Sequence, residues 1–247
     1  MRLEGKIAIV TGAGKGIGRD AALAIAAEGA TVAAVARTQS DLDETVRMIE
    51  EKGGKAIALS RDLTVGEQVQ SMVDTVVDQF GRIDILVNNA GGYPKEIYNN
   101  IEHQAIKIGE WSEEQWDQII KTNLRIPFLC INKVVPVMIK QRSGDIVSVS
   151  SRMGRIASQM GAYAVAKGGI ITMTKTTAIQ TQEYGIRANA VSPGIVDTPG
   201  QRVYNHSVGQ DDAKMGRSED VAKAIVYLLC DAPAVMTGQS IDLFTTL

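Results

Sequence analysis

Short, almost wholly apolar runs alternate along this chain with longer stretches in which apolar residues recur at helical spacing. Runs of the first kind occupy residues 7–10, 31–36, 56–59, 83–87, 146–149, 188–191 and 240–243. They are rich in small and β-branched residues, the pattern of strands covered on both faces. Helical windows lie between them. Residues 17–28 are Ala-rich and stop at Gly29, a suitable residue just past a helix end. Residues 41–52 place Leu42, Val46 and Ile49 on one face and stop at Gly53-Gly54, and Val69, Met72, Val73, Val76, Val77 and Phe80 mark a third helix closed by Gly81. A further helix is expected at about 163–183. Strand and helix in repeated alternation, with short connections, predict an α/β fold: one domain with a doubly wound parallel sheet and helices on both faces. Segments 92–110 and 194–217 break the rhythm. Each follows a strand, at the edge where open α/β sheets bind ligands, so both are expected to be active-site loops.

Composition narrows the class without deciding it. The 247 residues are 45% apolar and 22% charged, ordinary for a soluble globular protein. The 26 basic and 28 acidic residues are interspersed and leave a net charge of −2, which argues against nucleic-acid binding through a basic stripe. No membrane association is expected, because the apolar stretch 126–139 is cut by Asn132, Lys133 and two prolines. Glu4 and Lys6 stand where a secretory leader would carry its apolar core, so a cytoplasmic location is expected. Cys130 and Cys230 fall in apolar helical patterns and read as buried thiols; with only two scattered histidines, no metal site is expected.

The run Thr11-Gly12-Ala13-Gly14-Lys15-Gly16-Ile17-Gly18 follows the first strand and opens the first helix. There Gly12 allows a tight turn, Gly16 lets the backbone approach a pyrophosphate, and Gly18 lets helix and strand pack closely. The phosphates would face the unpaired N–H groups of a helix N-terminus. No Gly-Lys-Ser/Thr ends the run, so an NTPase phosphate loop is disfavoured. After the second strand the chain reads Ala36-Arg37-Thr38. A carboxylate there would hold the ribose diol of NAD(H). Arg37 instead offers a cationic fork suited to a 2′-phosphate, with Lys15 as a second charge on the same side. NADP(H) is therefore favoured over NAD(H).

Tyr163 and Lys167 are four residues apart on one face of the 163–183 helix. A cation about 4 Å from a phenol, at an effective dielectric near 20, is worth about 4 kcal/mol, or about three pKa units. Such a phenol can protonate a carbonyl as hydride arrives, or its phenolate can deprotonate an alcohol as hydride leaves.

Taken together, these motifs carry a resemblance that spans the whole chain. Thr11 to Gly18, Asp62-Leu63, Asn88-Asn89-Ala90-Gly91, Asn123, the serine ending 146–151, Tyr163 with Lys167, and Ser192-Pro193-Gly194 follow one another as in the short-chain dehydrogenase/reductase family, which the sequence resembles. The resemblance implies a Rossmann-type sheet of seven parallel strands and a catalytic tetrad of Asn123, Ser151, Tyr163 and Lys167. In that scheme Tyr163 is the acid/base, Lys167 lowers its pKa and holds the nicotinamide ribose, the serine binds the reacting oxygen, and Asn123 holds a relay water. Asp62 and Leu63 would flank the adenine, Asn89, Ala90 and Gly91 would form the cofactor floor, and Pro193, Gly194, Ile195 and Thr198 would border the nicotinamide. A homotetramer is implied, with a dimer as the alternative, through the 113–140 and 163–183 helices. The substrate is expected to be a small carbonyl compound or secondary alcohol. A silent NAD(P)-binding sensor or scaffold, or a dehydratase or epimerase, are the other readings of the same motifs.

Several details depart from the family. Its usual thirteen-residue spacing from serine to tyrosine selects Ser150, whereas counting along the strand from Gly144 and back from Gly154 selects Ser151, which is preferred. The 92–110 stretch, with Tyr93, Tyr98 and His103, is about ten residues longer than usual and reads as a substrate lid or an oligomer contact. Arg152 and Arg155 flank the serine and read either as attractors of an anionic substrate or as ordinary ion-pair partners; Met153 is expected to line the pocket. The chain end, Asp242-Leu243-Phe244, lacks the family's Gly-Gly after the aspartate.

Overall fold

In β1 (Ile7–Thr11) every side chain is buried. Strand alternation sends Ala8 and Val10 to one face of the sheet and Ile7 and Ile9 to the other. The structure, a computed structural model, describes residues 1–92, 107–158, 160–208 and 215–244. From β1 the chain runs through α1 (Gly16–Ala27), β2 (Thr31–Ala36), α2 (Gln39–Glu50), β3 (Lys55–Ser60), α3 (Gly66–Phe80) and β4 (Ile85–Asn88). Then come α4 (Glu113–Ile120), α5 (Ile126–Gln141), β5 (Gly144–Val149), α6 (Gly161–Thr181) and β6 (Ile186–Pro193). The short strands β7 (Val196–Asp197) and β8 (Gly216–Arg217) bracket α7 (Pro199–Val208), and α8 (Ser218–Cys230) and β9 (Ser240–Leu243) follow.

Seven strands form one parallel sheet in the order β3-β2-β1-β4-β5-β6-β9. Side chains of α1, α2 and α8 cover one face, and those of α3, α5 and α6 the other. This is the doubly wound α/β fold that the alternating pattern predicts. Chain order reverses between β1 and β4: two strands are added on one side of β1 before the chain returns to the other. The crevice outside the carboxyl ends of strands at such a point is where these sheets bind ligands.

Two predicted segments take a different form. The 113–140 helix is two helices, α4 and α5, joined by a π-helical turn at Lys121–Arg125. By length and apolar content, residues 113–141 would suffice to cross a membrane. Here Ile126, Leu129, Cys130, Val134 and Met138 pack into the core, the ordinary work of a helix that covers one face of a sheet. Segment 194–217 is not simply a loop: it contains β7, α7 and β8, and β7 pairs in parallel with β8. Its helix is polar and opens on Pro199, so it lacks the apolar periodicity that marks the others. Residues 93–106, which hold Tyr93, Tyr98 and His103, lie outside the described residues.

Candidate active site

The glycine loop is held open by side chains from β1 and β4. Thr11 Oγ1 donates to the Val87 carbonyl at 3.1 Å and accepts from the backbone N–H groups of Asn89 and Ala90 at 3.0 and 3.1 Å. Asn89 Nδ2 in turn donates to the carbonyls of Thr11 and Gly12 at 3.0 and 3.3 Å. Gly16 has φ +53°, and a Cβ there would stand 2.9 Å from Thr198 Cγ2. A Cβ on Gly18 would overlap the Gly12 carbonyl oxygen, so glycine is needed for the first turn of α1 to pass this close to the loop. The result is a helix N-terminus whose loop carries no side chain at Gly12, Gly16 and Gly18, a form suited to a phosphate.

A cavity of about 460 Å³ opens at this point, at the ends of β1, β4, β5 and β6. Gly12, Lys15, Gly16, Ile17, Asn89, Ala90 and Gly91 line one part of it. Ser150, Ser151, Arg152, Met153, Tyr163, Lys167, Pro193, Gly194, Ile195 and Thr198 are among the residues lining the rest. Lys167 is 5% exposed, and its ammonium donates to the Val149 carbonyl at 3.0 Å. The same nitrogen sits 5.5 Å from the centroid of the Tyr163 ring, beside the aromatic system and anchored on the strand. Burial pushes the Lys167 pKa down to about 8, which leaves it mainly charged at neutral pH.

Asn123 is fully buried behind this cavity, in the π-helical turn. Its amide clamps Gly92 in both directions: Nδ2 donates to the Gly92 carbonyl at 2.9 Å, and Oδ1 accepts from the Gly92 N–H at 2.8 Å. Single π turns inside α-helices occur often at functional sites. Here the turn rotates Asn123 toward the end of β4.

The two candidate serines differ in what they touch. Ser150 Oγ donates to the Lys167 carbonyl at 2.7 Å in a buried contact that ties β5 to α6. Ser151 caps a short 3₁₀ turn, its Oγ accepting from Met153 N–H at 3.2 Å, which leaves its proton available to a ligand. Ser151→Ala is expected to lower kcat by about 100-fold, the loss of one donor to a reacting oxygen. Ser150→Ala should cost mainly stability, about 1 kcal/mol for a buried hydrogen bond. Parallel turnover assays and urea denaturation check both, and a larger kcat loss in Ser150→Ala would reverse the choice.

The remaining predicted residues lie along the same edge but outside the cavity lining: Gly14 and Gly18 in the loop, Arg37 and Thr38 after β2, Asp62 and Leu63 after β3. Lys15 is ion-paired with Asp41 at 3.0 Å, so its charge is shared, not free as the sequence suggested. Burial opposes ionisation of Asp62. Hydrogen bonds from the Thr64 N–H and hydroxyl, with the charges of Arg37 and Lys121, nevertheless hold its carboxyl below the usual range. Sequence reasoning missed Met160 and Gln201, which line the cavity. It also missed the packing of Trp111, whose indole occupies the space beside Gly161 at the start of α6. Trp111 and Trp116 pack with Tyr163 against Ile119 and Ala162 and brace the tyrosine from the α4 side. No signal of spacing links Trp111 to Tyr163, because the contact crosses two helices.

Residues 6–208 match the family model described as short chain dehydrogenase. The 3-oxoacyl-[acyl-carrier-protein] reductase FabG of Thermotoga maritima is 39% identical over 98% of this chain and 98% of its own length. Among solved structures, levodione reductase matches with a TM-score of 0.87 and 26% identity, covering 98% of this chain and 96% of that one. A short-chain type dehydrogenase/reductase from Mycobacterium marinum matches with a TM-score of 0.86 and 31% identity, covering 98% and 94%.

Proposed function

The chain belongs to the short-chain dehydrogenase family, and on that footing we propose that it is an NADP(H)-dependent oxidoreductase interconverting a carbonyl and a secondary alcohol. The observation that carries this reading is the meeting of Ser151, Tyr163 and Lys167 with the glycine loop in one cavity. A nicotinamide dinucleotide, when bound, would supply or take the hydride. Tyr163 gives a proton to the substrate oxygen in reduction and removes it in oxidation, and the Ser151 hydroxyl holds that oxygen by a hydrogen bond. The Lys167 ammonium favours the phenolate form of its neighbour electrostatically. Val149 anchors that charge, and Asn123 fixes the backbone at Gly92, where the cavity floor begins. The glycine-loop N–H groups would hold its diphosphate, and Asn89, Ala90 and Gly91 would border its nicotinamide end.

Cofactor preference turns on the end of β2. Arg37 is exposed there, with no carboxylate at position 36 to repel a 2′-phosphate. Arg37→Asp is expected to move relative affinity from NADPH toward NADH by at least tenfold. Titration of both cofactors, followed by nicotinamide fluorescence, checks this; an unchanged ratio refutes the role of Arg37.

The T. maritima relative named for reduction of a 3-oxoacyl group supports the reductive direction. Phe128 on α5 with Val165 and Ile179 on α6 are large apolar residues left exposed, which supports an oligomer formed through these two helices. The direct test is a panel of ketones and aldehydes with NADPH, scored for stoichiometric cofactor oxidation and alcohol formation. Binding of NADPH without reduction of any panel member would favour a sensor. Product formation without net cofactor use would favour a dehydratase or epimerase.

A further inference from the structure

The cavity is lined by three cations, Lys15, Arg152 and Lys167, and by no aspartate or glutamate among the described residues. Lys15 has Asp41 as its partner, and Lys167 is held by Val149 beside the tyrosine ring. Arg152 has neither. Its Nε is buried without a hydrogen-bond partner among the described residues, while the neighbouring Arg155 is ion-paired with Asp242 at 2.9 Å. Among the described residues, the Phe244 ring lies against the Arg152 guanidinium, its centroid 5.5 Å from Cζ. Arg152 directly follows the serine, and Phe244 stands where the family's Gly-Gly after the aspartate is missing. Phe244 sits against Gly194 in the cavity wall, where a Cβ on Gly194 would come within 2.9 Å of Phe244 Cβ.

Stacking on an aromatic face satisfies the guanidinium through its π surface. It leaves the in-plane N–H fork available, the geometry that binds a carboxylate through two parallel hydrogen bonds. A buried charged donor left without an acceptor is costly, so a water, an ion or a ligand group is expected to supply one. Arg152 adjoins Ser151, at the reacting end of the cavity rather than at the glycine loop that faces the diphosphate. Resting on the oxidoreductase reading, we propose that the substrate is an oxo acid, or the matching hydroxy acid, and that Arg152 on its Phe244 platform binds the substrate carboxylate. Arg152 is thus a specificity-determining residue for the reaction.

The test uses the full-length enzyme with NADPH and three matched pairs: pyruvate, acetoacetate and levulinate, each against its methyl ester. In the wild type at least one acid should be reduced with a higher kcat/KM than its ester. In Arg152→Met that acid-to-ester ratio should fall about 10- to 100-fold, the range for a hydrogen bond to a charged group. Arg152→Lys, which keeps the charge but loses the fork, should fall between, and thermal melting of both variants monitors folding. The proposal is overturned if acid and ester lose equally, or if the variant weakens NADPH binding while the ratio stays fixed. The second outcome would place Arg152 on the cofactor. Should the wild type reduce nothing, the redox reading fails, and ligand-detected NMR of levulinate with NADP⁺-loaded protein still decides on Arg152. Levulinate binding that weakens at least tenfold in Arg152→Met supports the carboxylate site. Equal binding to both proteins, or none to the wild type, ends it.

Discussion

Replacing Tyr163 by phenylalanine is expected to reduce kcat/KM for carbonyl reduction by about 10³- to 10⁴-fold, the upper range for a positioned general acid. The variant removes one oxygen and leaves the ring that packs with Trp111 and Trp116. Its melting temperature and its affinity for NADPH should therefore stay close to wild type. Steady-state kinetics beside a thermal melt and a cofactor titration separate the two kinds of loss. Retention of more than a tenth of the activity would remove Tyr163 from the chemistry.

The second large effect has opposite signs on activity and stability. Lys167→Met should lower kcat/KM by at least 100-fold, yet the folded protein should be more stable at pH 7. Burial holds the Lys167 pKa at about 8 against an ordinary 10.5, a difference worth on the order of 3 kcal/mol. Below pH 8 the lysine is protonated in both folded and unfolded chains, so the folded state bears the whole cost of the buried ammonium. Between about pH 8 and 10.5 the unfolded chain keeps a proton that the folded one has released. Wild-type stability therefore rises with pH across this window, relative to the methionine variant. Urea denaturation of both proteins from pH 7 to 10.5 should show the advantage of Lys167→Met shrinking as pH increases. A constant difference would mean that the lysine is not held charged in a poorly solvated site.

The parts of this fold that were legible in sequence are those governed by local periodicity. All seven strands of the large sheet appear at the predicted runs; the central ones are apolar almost throughout because both their faces are covered, whereas the edge strand β9 carries Ser240 and Asp242. The glycine loop was equally readable, since its constraints are steric and fall within eight residues. Features set by contacts across the chain were not readable. The π turn that aims Asn123 at Gly92 contains no glycine or proline, so nothing within it marks the break between α4 and α5. The polar helix α7 carries too few core residues to announce itself. Lys15 looked like a free charge because Asp41, its partner, lies 26 residues away on a different helix. The lysine–tyrosine pair was predicted from a spacing of four. That it is the carbonyl of Val149 that fixes the ammonium depends on how α6 lies against β5, which no helical pattern encodes. Arg152 and Phe244 each stand out in the sequence, and only the fold brings them together.

The central claim is that the ammonium of Lys167 makes its aromatic neighbour a better proton donor than an ordinary phenol. It is most directly tested by NMR of protein carrying ¹³C at the tyrosine ζ carbon, titrated with base in the NADP⁺ complex and assigned through Tyr163→Phe. The account predicts that the Tyr163 resonance titrates at lower pH in the wild type than in Lys167→Met, while the other tyrosines do not move between the two proteins. Superimposable Tyr163 titrations in the two proteins would contradict it.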